Sequence, residues 1–364
     1  MKFGKKITVL LALTMLLVAC GKNTESVNKE NVNNGKENSS LSQTTDEKKL
    51  NAITSFFVLE DFARRIGGEK VEVVPIIPKG QAPHGWEPSP QDIAKLQDSD
   101  VFIYNGAGLE SWTDKVIEGI DTDKTILVEA SEGVELIEGH SHNHEGEEAH
   151  DHEGEEAHDH EGEEAHDHEG EEAHDHEGEE AHDHEREEAH GMDPHVWTSP
   201  KNAIILAENI YKAFSEKDPN NQAYYEENYK KLEAELLALD AKFTETLGSA
   251  NSHDIVVSHE AYGYMAKEYN LNQVPIEGIN SETEPDPKTM QKIIEFVKEN
   301  KVTTIFTEPL KDSKVADTIA KETGANVAVL DPLEGLQEGE SLETTDYIQL
   351  MEENLKELEK ALVE

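Results

Sequence analysis

Cysteine is nearly absent: Cys20 is the only one in 364 residues, so no intramolecular disulfide can staple the fold. Basic residues are scarce as well. The chain has 32 lysines and arginines against 79 aspartates and glutamates, a formal charge of -47. Such a surface repels nucleic-acid phosphates and excludes that partner, while it favours solubility and draws cations. The one long apolar run, Ile7 to Ala19, is too short for a membrane helix of about 20 residues. Hydrolase signatures are missing too. His259-Glu260 is followed by Gly263 where His-Glu-x-x-His needs its second histidine, and neither a nucleophile elbow nor a phosphate loop occurs. A zinc hydrolase is therefore the weakest reading, and the chain is not expected to be an enzyme.

What is present begins with an export signal. Lys2, Lys5 and Lys6 precede the apolar run, which ends in Leu17-Val18-Ala19-Cys20-Gly21. That ending resembles the bacterial lipobox and predicts cleavage after residue 19 and lipidation of Cys20. Residues 20–48, rich in Asn, Lys, Glu and Ser, read as a flexible tether, with the lipid as the sole membrane attachment. The expected location is outside the cytoplasm, anchored to the bacterial cell membrane.

Between Gly139 and Gly191 composition changes abruptly. The unit His-Glu-Gly-Glu-Glu-Ala-His-Asp begins at His144, His152, His160, His168 and His176 and recurs imperfectly at His184. With nothing apolar larger than alanine to bury, the stretch predicts a disordered insertion. Imidazole beside carboxylate nevertheless suits borderline divalent metals. The accessory low-affinity ligands expected are His144, His150, His152, His158, His160, His166, His168, His174, His176, His182, His184 and His190, each weak because ordering the chain costs entropy for every ion bound. Surface zinc buffering or adhesion is the alternative function this tract alone would allow.

The rest alternates short apolar strands with amphipathic helices. Strands are predicted over 50–56, 71–77, 101–105 and 125–128, with helices near 59–66, 90–96, 110–120 and 200–214. After a long helical pattern over 218–248, with Asp218 as N-cap and Pro219 at the first position, strands are predicted over 254–258, 273–277, 303–307 and 326–330. Helices are expected there near 260–269, 287–300, 313–323 and 346–362. The fold class is α/β: two open parallel-sheet lobes, 49–217 and 249–364, joined by one long rigid helix, with a cleft between them where ligands of such sheets bind.

Only His84, His195, His253 and His259 lie outside the insertion. His84 follows the second predicted strand and precedes a helix that Ser89 can cap with Pro90 behind it. His195 sits just before the helix start at Ser199-Pro200, and His259 ends the 254–258 strand. Each is at a strand end or helix start where both sheets can aim side chains into one cleft, and neighbouring prolines reduce the freedom metal binding must remove. His253, at the opposite strand end, reads as a surface residue. A fourth ligand is expected from Leu330-Asp331-Pro332-Leu333-Glu334-Gly335. Glu334 is favoured, Asp331 could instead hold the turn before Pro332, and water could fill the open position. Three imidazoles select against hard, oxygen-preferring ions. Since imidazole must be neutral to bind, affinity should fall as pH drops through about 6.5.

These residues carry a family resemblance. Ala-Pro-His-x-x-Glu-Pro-Ser-Pro at 82–90, Asp-Pro-His-Val-Trp at 193–197, Ser-His-Glu-Ala-Tyr-Gly-Tyr at 258–264 and the acidic, His-rich loop before the second histidine resemble the zinc ABC-transporter substrate-binding lipoproteins of cluster A-I. The resemblance covers the chain after Cys20. It implies two α/β lobes joined by a rigid helix, Zn2+ held between them as cargo, and delivery to an ABC permease driven by a cytoplasmic ATPase. A monomer is expected. Manganese-binding relatives carry glutamate at the third ligand position, so His259 points to zinc. The additional C-terminal zinc-binding domain that some members carry is not expected here.

Overall fold

The computed structural model describes residues 48–139, 191–279, 285–312 and 314–364; the expected signal, tether, Cys20 and the insertion's histidines lie outside these residues. The first sheet contains β1 (Leu50–Thr54), β2 (Val71–Pro75), β3 (Val101–Tyr104) and β4 (Ile126–Glu129) in the order β2-β1-β3-β4. The second contains β5 (Asp254–His259), β6 (Asn272–Glu277), β7 (Thr304–Thr307) and β8 (Asn326–Val329) in the order β6-β5-β7-β8. Every pairing is parallel. Both sheets therefore follow one plan, and β1 and β5 hold equivalent central places.

Helices α1 (Phe57–Gly67), α2 (Pro90–Gln97), α3 (Thr113–Ile117) and α4 (Pro200–Lys217) accompany the first sheet. Ser89 caps α2 as expected: its Oγ accepts from the Asp92 backbone N–H at 3.3 Å, and Asp92 returns the bond to the Ser89 N–H. The predicted helix over 110–120 shrinks to α3 because Glu110 has another task. Its buried carboxylate accepts from the backbone N–H groups of Asn105 at 2.8 Å and Gly106 at 3.1 Å, which holds the turn leaving β3.

The long helix α5 (Gln222–Leu247) follows a 3-10 turn over Pro219–Asn221. Asp218 does not cap it; that carboxylate accepts from the Asn221 amide and the Tyr225 hydroxyl. Tyr225, Tyr229, Leu232, Leu236, Leu239, Phe243 and Leu247 form its buried stripe, the 3–4 spacing of an amphipathic helix. Beyond it come α6 (Gly263–Tyr269), α7 (Pro287–Glu299), α8 (Lys314–Thr323) and α9 (Tyr347–Leu362).

A second helix also bridges the two sheets. At the start of α9 the Tyr347 N–H donates to Asp61 of α1 at 3.1 Å and its hydroxyl to the Trp197 carbonyl at 2.7 Å. At its far end the Leu362 and Ala361 carbonyls accept from the Asn251 N–H and the Thr303 hydroxyl beside the second sheet. One apolar core accordingly runs from Ala52 and Phe102 through Trp197 and Leu236 to Phe306 and Leu358, and a smaller one under α7 and α8 gathers Val256, Ile276, Ile293 and Ile319. No described helix is long and apolar enough to cross a membrane.

Candidate metal centre

Because all strands are parallel, the loops that leave their carboxyl ends share one side of each sheet, where open α/β folds place ligands. His84 lies after β2, His195 before α4, His259 at the end of β5 and Glu334 after β8. Their ligand atoms converge within 4.8 Å of one another, the one such group of three or more His, Cys, Asp or Glu among the described residues. His195 and His259 are wholly buried and Glu334 nearly so; His84 alone is less than fully enclosed. His253 is exposed.

Four of the separations are close to those of atoms sharing one ion. His84 Nε2 lies 3.0 Å from His195 Nε2, and Glu334 Oε1 stands 3.3 Å from His84 Nε2, 3.4 Å from His195 Nε2 and 3.5 Å from His259 Nδ1. A tetrahedral ion with bonds of about 2.0–2.1 Å separates its donors by about 3.3–3.4 Å. These four separations bracket that value.

Each imidazole is turned by a neighbour. Asp193 Oδ1 accepts from His195 Nδ1 at 2.7 Å and from the His195 backbone N–H at 2.9 Å, leaving Nε2 to face the centre. His259 Nε2 donates to the Ile279 carbonyl at 2.6 Å, which leaves Nδ1 facing inward. Such outer partners set tautomer and orientation in metal sites. Gly263 is required beside Asp193, since a Cβ there would stand 2.4 Å from Asp193 Oδ2.

Glu334 is presented by a strained turn. Leu333 adopts φ 60°, an uncommon, costly conformation for a residue with a branched side chain. Asp331 Oδ1 accepts from the Leu333 N–H at 2.8 Å, Trp197 Nε1 donates to the Pro332 carbonyl at 2.7 Å, and Leu333 itself is fully buried. Asp331 thus holds the turn and is not among the converging donors. Gly335 lets this turn lie against the His84 loop, as a Cβ there would meet the Gln81 carbonyl at 3.0 Å.

Charge is balanced inside the nest. Burial would raise the Glu334 carboxyl, but hydrogen bonds with His195 and His84 and the charges of His259 and His84 hold it well below the usual range. Burial likewise opposes a proton on His195, yet Asp193 and Glu334 outweigh it and push that ring up to about 9. Burial prevails at His84 and lowers it.

Sequence reasoning left three contributors without a role. Asp193 was visible only as part of Asp-Pro-His, where a carboxylate two residues before a histidine can reach its Nδ1. Glu308 after β7, 3.3 Å from His259 Nδ1, and the Ile279 carbonyl carried no signal, since each is brought in by sheet pairing.

Two parallel-sheet lobes around an enclosed nest of three imidazoles and a carboxylate describe a two-lobed metal-binding protein. Residues 53–361 match the family model ZnuA, "Zinc-uptake complex component A periplasmic", and the chain belongs to that family. It is 35% identical over 98% of its length, and 96% of the relative's, to the high-affinity zinc uptake system protein ZnuA of Bacillus subtilis (strain 168). It is 33% identical, over 98% of its length, to the zinc-binding lipoprotein AdcA of Streptococcus pneumoniae, of which it spans 61%. The Zn(II)-bound ZnuA-like domain of Streptococcus pneumoniae AdcA superposes with a TM-score of 0.66 at 29% identity, covering 87% of this chain and 100% of that one.

Proposed function

We propose that this protein captures Zn2+ outside the cytoplasm with His84, His195, His259 and Glu334 and hands it to an ABC permease served by a cytoplasmic ATPase. Lipid on Cys20 tethers it to the membrane, and it works as a monomer. No bond is broken: the ion is cargo, bound and released. The observation that carries this reading is the convergence of four donors, three of them imidazole nitrogens, within 4.8 Å. Three nitrogens and one carboxylate suit zinc and disfavour magnesium or calcium, which want oxygen. The family's other members with zinc in their names support the same ion.

Calorimetric titration of the protein lacking residues 140–190 tests the assignment without interference from the repeat's histidines. One tight zinc per chain is expected, and replacing His84, His195 and His259 together with alanine should abolish it. A tight site that survives the triple replacement, or is absent before it, would sink the assignment.

A further inference from the structure

The nest contains one acceptor more than a tetrahedral ion needs. Glu308 follows β7, is buried to 6% exposure, and holds Oε2 3.3 Å from His259 Nδ1. Nε2 of that ring donates to the Ile279 carbonyl, so Nδ1 is the nitrogen turned toward Glu308 and Glu334. Glu308 Oε2 and Glu334 Oε1 stand 3.3 and 3.5 Å from this nitrogen, so two carboxylates and one imidazole nitrogen face one another, all three of them atoms able to ligate zinc. The other Glu308 oxygen, Oε1, is buried and accepts no hydrogen bond; the Lys311 ammonium is 4.0 Å away, beyond hydrogen-bond reach. Both Glu308 and Glu334 border a small cavity lined also by Ala82, Lys311 and Asp331.

A buried, unpartnered carboxylate oxygen carries a large desolvation cost unless something occupies it for part of the protein's working cycle. Zinc sites expand from four to five ligands when a donor enters, and release of a tightly held ion is faster when an incoming ligand replaces one bond before the others break. We propose that Glu308 is that incoming ligand: a second carboxylate that joins the zinc as fifth donor beside His259 and carries the ion between the enclosed nest and the Glu308–Glu334 cavity. The inference rests on the four-donor site proposed above. It assigns Glu308 to exchange, not to resting affinity.

The alternative role, orienting His259 through Nδ1, predicts the opposite kinetics. Loss of an orienting partner weakens binding and speeds release, whereas loss of an incoming ligand slows release and leaves affinity nearly unchanged. The test measures zinc transfer from the loaded protein to excess EDTA by stopped flow, with Kd from chelator competition, for the native protein and Glu308→Gln. Transfer slower by about tenfold or more, with Kd changed less than about threefold, is expected. Unchanged or faster transfer overturns the proposal. If Glu308→Gln does not fold, Glu308→Asp replaces it: the shortened carboxylate falls short of the ion, and the same slowing is expected and the same acceleration or constancy overturns it. Native protein that binds no zinc would instead fail the four-donor reading, so the two failures are distinct.

Discussion

At the scale of single residues the centre depends on carboxylates that never need to touch the ion. Asp193 is the clearest case: one oxygen receives both the ring and the backbone N–H of His195, and its own backbone carbonyl accepts from the Tyr264 hydroxyl at 2.7 Å. Its backbone is thus tied to the second sheet's α6 while its side chain aims a ligand of the first. Asp193→Asn keeps the shape and one acceptor but removes the charge that favours the Nε2-facing tautomer. Loss of such an outer partner typically costs about 10–100-fold in metal affinity. We expect a fall within that range in chelator competition, with the folded state intact by circular dichroism; affinity equal to the native protein's would show that burial alone orients His195.

At the scale of elements, the joint between α1 and α9 contributes to how stability responds to pH. Asp61 is buried in α1 and accepts from the Tyr347 N–H at the first residue of α9. Burial pushes its carboxyl up to about 7, with Arg65 and the Tyr347 hydrogen bond opposing the shift. The sign follows from linkage: the folded protein keeps this proton longer than the unfolded chain, so its contribution is full below about pH 4 and is lost as pH rises towards 7. Asp61→Asn keeps the acceptor and removes the charge. Urea unfolding of zinc-free protein should find the variant more stable at pH 7, by up to about 4 kcal/mol, with the advantage gone near pH 4; curves that run parallel across this window would refute the ionisation. This joint was hidden from the sequence, although the helix itself was not. The stripe Tyr225, Tyr229, Leu232, Leu236, Leu239 and Phe243 announces α5 because its period is local, and the strand alternation announces both sheets for the same reason. His84, His195 and His259 were legible because each sits at a predicted strand end or helix start. What α9 touches, and that Glu308 and Ile279 flank His259, depends on which strands pair and how the lobes meet, and no local pattern encodes that. The short α3 was misjudged for a related cause: Glu110 fits a helix by composition, but its carboxylate is claimed by the turn after β3.

At the scale of the whole molecule, a collecting role for the histidine repeat can be tested apart from the buried nest. The insertion leaves and returns through one narrow base. Glu138 and Met192 form an antiparallel bridge, the Gly139 N–H donates to the Gly191 carbonyl at 2.9 Å, and the Asp193 N–H to the Ile137 carbonyl at 2.8 Å. That base ends at Asp193, two residues from His195, so the insertion joins the chain close to the nest. The repeat carries 23 acidic groups against Arg186 alone, which takes the formal charge from -47 to -25 when residues 140–190 are removed. The base needs nothing from those residues to close, because its bonds join 137–139 to 191–193. Removing 140–190 and joining the ends with two glycines should therefore leave one zinc per chain bound with affinity within about threefold of the full protein, while the additional weak ions seen in calorimetry disappear. A weaker local field lowers the cation concentration near the cleft, and salt screens that field beyond about 8 Å. Cells carrying the shortened protein should consequently grow normally in zinc-replete medium and lag only when zinc is chelated to scarcity. Equal growth at every zinc level would remove the collecting role from the repeat, and loss of the tight site on deletion would move the centre into it.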